Sequence, residues 1–121
     1  MPVRKILIAD DSPSDRHYLS EVLFKRGYQC ITAESGAEAV AKSKTEHPDL
    51  ILMDVIMPGT NGYEATRAIT RDEATRNIPV IICTAKDQST DRLWGLRQGA
   101  RDYLTKPVDV DALIAKINEI R

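Results

Sequence analysis

The chain has 121 residues and a formal net charge of −1, with 17 basic and 18 acidic residues. This length predicts a single domain over residues 1–121 with one core. The basic residues are scattered, so nothing indicates binding to nucleic acid or to a membrane surface. No signal peptide and no bilayer-spanning apolar stretch are recognisable, and the sequence predicts a cytoplasmic protein without membrane insertion.

Short apolar runs alternate along the chain with segments of helical periodicity. This alternation predicts βαβ units and an α/β fold, a doubly wound parallel sheet with helices on both faces. The first, third and fourth runs are continuously apolar, as in central strands, whereas the second is mixed and is typical of an edge strand. The predicted strands are Lys5–Ala9, Gln29–Ala33, Leu50–Met53, Val80–Cys83 and a weaker Tyr103–Leu104.

Capping residues indicate where three of the helices begin. Ser12 before Pro13 is typical of an N-cap followed by proline at the first helical position. Ser35 and Glu38 have the spacing of a capping box. Asp109 is in position to cap the last helix. The two cysteines, Cys30 and Cys83, lie in apolar runs without metal-site spacing, so we expect both in the core.

Polar side chains follow four of the predicted strands. In a parallel sheet the carboxyl ends of the strands meet at one edge, where ligands bind. Each of these residues alone is also typical of a turn, a strand end or a solvated surface. Found together after separate strands, they predict a chemical site made of Asp10 and Asp11, Asp54, Thr84 and Lys106.

The three aspartates of this set predict a metal site. Carboxylates that share a cleft raise one another's pKa unless a cation lies between them. Mg²⁺ prefers oxygen ligands and retains several waters, which leaves positions for a phosphate group. The sequence therefore predicts Mg²⁺ as the cofactor.

In their order along the chain, these residues resemble the receiver domains of two-component response regulators, the CheY-like family. The resemblance implies five strands in the flavodoxin-like order 2-1-3-4-5, of which CheY itself is a known example. The segment 94–109 is further similar to PilH-type regulators of chemosensory systems that control type IV pili and twitching motility. The residues that match are Asp10-Asp11, Asp54 with Met57-Pro58 and Gly62, Thr84-Ala85, Tyr103 and Lys106-Pro107.

The resemblance implies a role for each acidic residue. Asp54 would be the phosphoacceptor, a carboxylate nucleophile that becomes an aspartyl-phosphate. Asp11 and Asp54 would hold Mg²⁺ together with the backbone carbonyl of Ile56, and Asp10 would assist through water. The phosphoryl donor would be a histidine kinase, and the receiver would catalyse only its own phosphorylation and dephosphorylation.

The same resemblance implies a switch. Lys106 and the Thr84 hydroxyl would stabilise the phosphoryl oxygens, and a cis Lys106–Pro107 bond would direct the lysine into the cleft. Thr84 would then move toward the phosphoryl group, and Tyr103 would turn inward into the vacated space. A downstream protein would recognise the changed face of the fourth helix, fifth strand and fifth helix. Trp94 on that helix is either core packing or a binding anchor.

Two further side chains are predicted to slow hydrolysis of the aspartyl-phosphate. Ile56, two residues after Asp54, offers the attacking water no hydrogen bond. Lys86, two residues after Thr84, can pair with the phosphoryl oxygens. Both would lower the chance that water attacks in line with the phosphorus atom.

Other functions remain possible at this stage. The protein could drain phosphate from a shared kinase instead of binding an output partner. An aspartate-nucleophile phosphohydrolase needs a second acid two residues after the nucleophile, where this chain has Ile56, and is disfavoured. A flavodoxin-like FMN binder is disfavoured because Asp10 and Asp11 would repel a bare phosphate. A degenerate receiver that only scaffolds is disfavoured because every site position is filled.

Overall fold

In a computed structural model, the described residues are 2–120, and they form five strands that alternate with five helices. The strands are β1 (Lys5–Ala9), β2 (Gln29–Ala33), β3 (Leu50–Met53), β4 (Val80–Thr84) and β5 (Asp102–Thr105). The helices are α1 (Pro13–Lys25), α2 (Gly36–Glu46), α3 (Gly62–Arg71), α4 (Ser89–Arg97) and α5 (Val110–Asn118). All five predicted strands are confirmed, with β4 and β5 slightly longer than expected.

The strands form one parallel sheet in the order β2-β1-β3-β4-β5, which confirms the predicted topology. The continuously apolar strands β1, β3 and β4 are central and buried on both faces, whereas the mixed strand β2 lies at an edge. Ala9 at the end of β1 is paired with Met53 at the end of β3. The residues that follow these two strands therefore start side by side at the same edge.

Helices cover both faces because the side chains of each strand alternate between two cores. Ile6 and Ile8 of β1 belong to the core beneath α1 and α5, while Leu7 and Ala9 belong to the core beneath α2 and α3. The helices contribute Leu19 and Leu23 of α1 and Leu113 and Ile117 of α5 on one side, and Ala39, Ala65 and Ile69 on the other.

All three predicted helix starts are confirmed. The Ser12 hydroxyl accepts a hydrogen bond from the Asp15 backbone, and Asp109 caps α5. At α2 the Ser35 hydroxyl accepts from the Glu38 backbone as expected, but the Glu38 carboxylate accepts from the backbone N–H of Glu34 instead of Ser35. The predicted capping box is therefore wrong in its second half, because the glutamate reaches one residue further back.

Both cysteines contact the core, as predicted. Cys83 is fully enclosed in β4, and burial raises the pKa of its thiol to about 12. Cys30 is half-buried and packs at the edge of the core beneath α1 and α5. Among residues 2–120, no helix has the length and apolar character needed to cross a membrane.

Candidate functional site

Three carboxylates lie together at the carboxyl edge of the sheet. Asp10 follows β1 and Asp54 follows β3, and the Asp54 backbone N–H donates to the carbonyl of Ala9 over 2.9 Å. Asp10 and Asp54 are buried, whereas Asp11 is exposed. One carboxylate oxygen from each aspartate lies within 4.8 Å of the others. The sheet thus brings together the three predicted carboxylates of the metal site.

Backbone donors orient the two buried carboxylates. Asp10 Oδ1 accepts from the Ser12 N–H at 2.9 Å, and Asp54 Oδ1 accepts from the Val55 N–H at 2.7 Å. In each case the second oxygen, Oδ2, is turned to Lys106. Burial is the largest influence on Asp10 and raises its pKa, although the hydrogen bond from Lys106 works in the opposite direction.

Lys106 enters the same cleft from the chain after β5. Its ammonium donates to Oδ2 of Asp10 at 2.6 Å, of Asp15 at 2.8 Å and of Asp54 at 3.0 Å. Burial alone would lower the pKa of Lys106, but the hydrogen bonds to three carboxylates outweigh it and raise the pKa above its ordinary value. The Lys106–Pro107 peptide bond is cis, as predicted.

Asp15 is the member of this cluster that sequence reasoning missed. It lies in the first turn of α1, where a carboxylate suits the helix dipole. Its contact with Lys106 joins residues 91 positions apart. No local pattern could have indicated that pair, because the two residues meet only through the tertiary fold.

Thr84 is the last residue of β4 and is fully buried at this edge. It pairs with Thr105 in the ladder, and its carbonyl accepts from the Lys106 N–H at 2.8 Å. Its hydroxyl makes a long contact of 3.5 Å with the Lys86 N–H. The structure therefore places Thr84 beside the strand that carries Asp54, as the sequence predicts.

Tyr103 is already buried in this structure. Its hydroxyl donates to the carbonyl of Lys86 at 2.9 Å and lies 3.4 Å from the hydroxyl of Tyr63. Burial raises the pKa of Tyr103 well above its ordinary value, and the Tyr63 hydroxyl adds to the shift. The structure therefore shows the Tyr103 ring in the inward position, and its movement on phosphorylation stays a prediction.

The two predicted modulators of hydrolysis lie at the rim of the cleft. Ile56 is 56% exposed, and its side chain extends into solvent beside Asp54. The ammonium of Lys86 lies 3.8 Å from the carboxylate of Asp91 in α4. To reach a phosphoryl group on Asp54, Lys86 has to leave this ion pair.

The large apolar side chains of α4 are turned outward. Leu93, Trp94 and Leu96 are exposed, while Gly95 is the buried residue of this helix. Trp94 is therefore not part of the core, and its role as a binding anchor stays a prediction.

The donor set fits a magnesium ion. The three carboxylates of this cluster offer hard oxygens, which Mg²⁺ prefers over nitrogen or sulfur. The exposed Asp11 leaves the cluster open on one side, as a hydrated ion needs.

Comparisons with known proteins identify the family. A family model described as response regulator receiver domain matches residues 6–118. The chain belongs to the response regulator receiver domains. These domains act in two-component signalling: they are phosphorylated by histidine kinases and bind downstream partners, and phosphorylation and Mg²⁺ binding are general traits of the family.

Among relatives, this receiver is similar to the protein PilH of Pseudomonas aeruginosa, with 54% identity over 96% of each chain. It is 40% identical to the phosphate regulon regulator PhoB of the same species, but it spans only 51% of that protein.

Two of the solved structures that share its fold illustrate the similarity. Chemotaxis protein CheY4 of Vibrio cholerae has a TM-score of 0.90 and 30% identity, covering 98% of this chain and 99% of that one. The receiver domain of a sensor histidine kinase from P. aeruginosa PAO1 has a TM-score of 0.89 and 32% identity, covering 98% and 97%, and that structure has a magnesium ion in its active-site cleft.

Proposed function

We propose that this chain, as one receiver domain over residues 1–121, accepts a phosphoryl group on Asp54 from a histidine kinase and thereby changes its binding to a downstream protein. One observation carries the proposal. The Asp54 carboxylate is buried, accepts hydrogen bonds from the Val55 N–H and the Lys106 ammonium, and lies in the acidic cluster with Asp10 and Asp11. A carboxylate held in this way is a nucleophile prepared for phosphoryl transfer.

In the transfer, a carboxylate oxygen of Asp54 forms a bond to phosphorus while the bond from phosphorus to the donor histidine nitrogen breaks. The nitrogen keeps the electron pair of that bond. Lys106 donates hydrogen bonds to the phosphoryl oxygens and neutralises part of their charge, and the Thr84 hydroxyl adds a further donor. The site therefore works by position and electrostatics, with no second acid needed two residues beyond the nucleophile.

The metal ligands would be Asp11, Asp54 and the backbone carbonyl of Ile56, with Asp10 assisting through water. When bound, Mg²⁺ would offset the negative charge of the phosphoryl oxygens next to these carboxylates.

For output, we propose that the face formed by α4, β5 and α5 binds the downstream protein. Exposed Leu93, Trp94 and Leu96 supply apolar and aromatic contact area, of the kind enriched in binding hot spots. Thr84 and Tyr103 connect this face to the phosphorylation site. The similarity to PilH supports a place in a motility-related signalling system, which we propose to be a chemosensory system for type IV pili. We further propose that the protein acts in the cytoplasm and that its partners are proteins, not nucleic acid or membrane, because its basic residues are scattered along the sequence.

The test of the phosphoacceptor is intact-mass analysis with acetyl phosphate and Mg²⁺. We expect one phosphoryl group on the wild type and on Asp87→Asn, an exposed aspartate that serves as control, and none on Asp54→Asn. Chelation of the metal with EDTA should abolish the labelling. Undiminished labelling of Asp54→Asn would refute the assignment.

The modulators can be tested on the phosphorylated protein after the donor is removed. We propose that Ile56→Asn, which offers the attacking water a hydrogen bond, accelerates decay by about tenfold. Lys86→Glu should accelerate it less, because the lysine first has to leave Asp91. If neither substitution changes the decay rate, these side chains do not control the water.

A further inference from the structure

The contact between Asp15 and Lys106 has no place in the mechanism described above. A lysine ammonium has three hydrogen-bond donors, and here three carboxylates take all of them. Two of these carboxylates, Asp10 and Asp54, belong to the acidic cluster, whereas Asp15 lies outside it on the first turn of α1.

The three contacts differ in how readily they can be broken. The side chains of Asp10 and Asp54 are only 3% and 7% exposed, while that of Asp15 is 46% exposed. A buried carboxylate that loses its cation is left without solvent, but a half-exposed one is hydrated as it separates. Asp15 is therefore the partner that Lys106 can release at the lowest cost.

We propose that Asp15 competes with the phosphoryl group for Lys106 and so weakens the phosphorylated state. This inference rests on the proposed phosphorylation of Asp54. When a phosphoryl group is bonded to Asp54, its oxygens need donors from Lys106. Asp15 holds one donor and offsets part of the ammonium charge, so the phosphoryl group receives less stabilisation than the lysine can provide.

The position of Lys106 does not depend on Asp15. The Lys106 backbone N–H donates to the carbonyl of Thr84, and its ammonium is held most closely by Asp10. Asp15 in turn is fixed by its own backbone, whose N–H donates to the hydroxyl of Ser12. Removing the Asp15 carboxylate therefore frees charge and a donor on Lys106 without displacing the lysine or α1.

The surroundings of Asp15 allow the exchange. Asp15 and Lys106 both line an open cavity of about 580 Å³ between α1 and the chain that leads into α5. Tyr18 and Val108 form part of its apolar wall. Water in this cavity can solvate the Asp15 carboxylate when the ammonium turns to a phosphoryl oxygen.

The experiment compares wild type with Asp15→Asn and Asp15→Ala. The asparagine removes the charge and keeps an acceptor, whereas the alanine removes both. Asp15→Glu keeps the charge, and Asp111→Asn is the control, since Asp111 lies in the first turn of α5 with its side chain 93% exposed. The probe is beryllofluoride with saturating Mg²⁺, followed by fluorine NMR, and the second measurement is the decay of acetyl-phosphate-labelled protein.

We expect Asp15→Asn to bind beryllofluoride about threefold more tightly than wild type, and Asp15→Ala to bind it at least as tightly as Asp15→Asn does. The phosphoryl group should also decay more slowly on these two variants than on wild type. Asp15→Glu and Asp111→Asn should match the wild type. A purely structural role of Asp15 would weaken binding instead of strengthening it. Affinity for Mg²⁺ alone, measured by calorimetry, should stay within about twofold of wild type, because Asp15 lies outside the three-carboxylate cluster.

Unchanged or weaker beryllofluoride binding in Asp15→Asn and Asp15→Ala would overturn the competition. A wild type that takes up neither beryllofluoride nor a phosphoryl group would instead overturn the proposed function itself. The two failures are therefore distinguishable in one set of samples.

Discussion

Helices α4 and α5 flank the same edge strand, β5, but they are attached to the molecule in opposite ways. Helix α5 inserts Leu113 and Ile117 into the core. Helix α4 buries Gly95 and turns its three large apolar side chains to solvent.

Helix α4 is attached to the rest of the molecule by hydrogen bonds and by the close approach of Gly95, and not by large apolar side chains of its own. Its Asp91 carbonyl accepts a hydrogen bond from Tyr63 at 3.1 Å, and Gly95 lies against Ile82 and the ring of Tyr103. Hydrogen bonds of this kind stabilise by about 1 kcal/mol each, less than a buried leucine does. Helix α4 can therefore move at a modest cost, which suits an element that changes a binding face, while α5 stays fixed.

The largest expected difference is between leucines of the two helices. Leu113→Ala should lower the free energy of unfolding by about 2–5 kcal/mol, because it leaves a cavity in the core. Leu93→Ala on α4 should change it by less than about 0.5 kcal/mol, because that side chain already contacts water. Urea unfolding measures both variants. Equal losses would mean that α4 is anchored as firmly as α5.

A smaller effect is expected where α4 approaches the sheet most closely. A Cβ atom on Gly95 would lie 2.8 Å from Cδ1 of Ile82 and 3.0 Å from Cδ2 of Tyr103. Although alanine favours helix over glycine by about 1 kcal/mol, we expect Gly95→Ala to destabilise by about 1 kcal/mol net, since overpacking costs more. The control, Thr90→Ala, is on the exposed side of α4. A Gly95→Ala protein more stable than wild type would show that the contact relaxes freely.

Tyr63→Phe should act on α4 alone. The substitution removes the hydrogen bond to the Asp91 carbonyl and the contact with the Tyr103 hydroxyl, and we expect a loss of about 1 kcal/mol. Amide hydrogen exchange should accelerate in α4 and remain unchanged in α5. Uniform acceleration in both helices would contradict the separate attachment proposed for α4.

The smallest effect concerns Asp102, which forms a closer ion pair with α5 than with α4. Asp102 of β5 lies 2.7 Å from Lys116 of α5 and 3.5 Å from Arg92 of α4. Burial works to raise the pKa of Asp102, but hydrogen bonds, chiefly from Lys116, outweigh it and lower the pKa below its ordinary value. Lys116→Met should cost less than about 1 kcal/mol at neutral pH.

The pH dependence of that cost follows from the lowered pKa. The stabilisation is present above the unfolded-state pKa of Asp102 and is lost as pH falls through the folded-state pKa. Unfolding curves of wild type and Lys116→Met should therefore differ at pH 7 and converge in acid, at a pH below the lowered folded-state pKa of Asp102. If the two proteins still differ in their free energy of unfolding in acid, the loss comes from packing of the aliphatic part of the Lys116 side chain and not from its charge.

Much of the fold could be predicted from the sequence because its signals are local. The apolar run of β1, the N-cap at Ser12 and the cap at Asp109 each depend on neighbours a few residues away. The aspartates of the site were predictable for a related reason, since strand ends in a parallel sheet share one edge. The strand order itself came from the family resemblance.

Long-range contacts decided what the sequence alone did not determine. Asp15 reaches Lys106 across 91 positions, and Tyr63 meets Tyr103 across 40. Whether Trp94 is buried depended on how α4 is rotated against the sheet. Gly95 is on the buried side of the helix, because its lack of a side chain permits the close approach of Tyr103. Sequence periodicity describes which residues share a helix face, but only packing against the other elements selects the face that is turned inward.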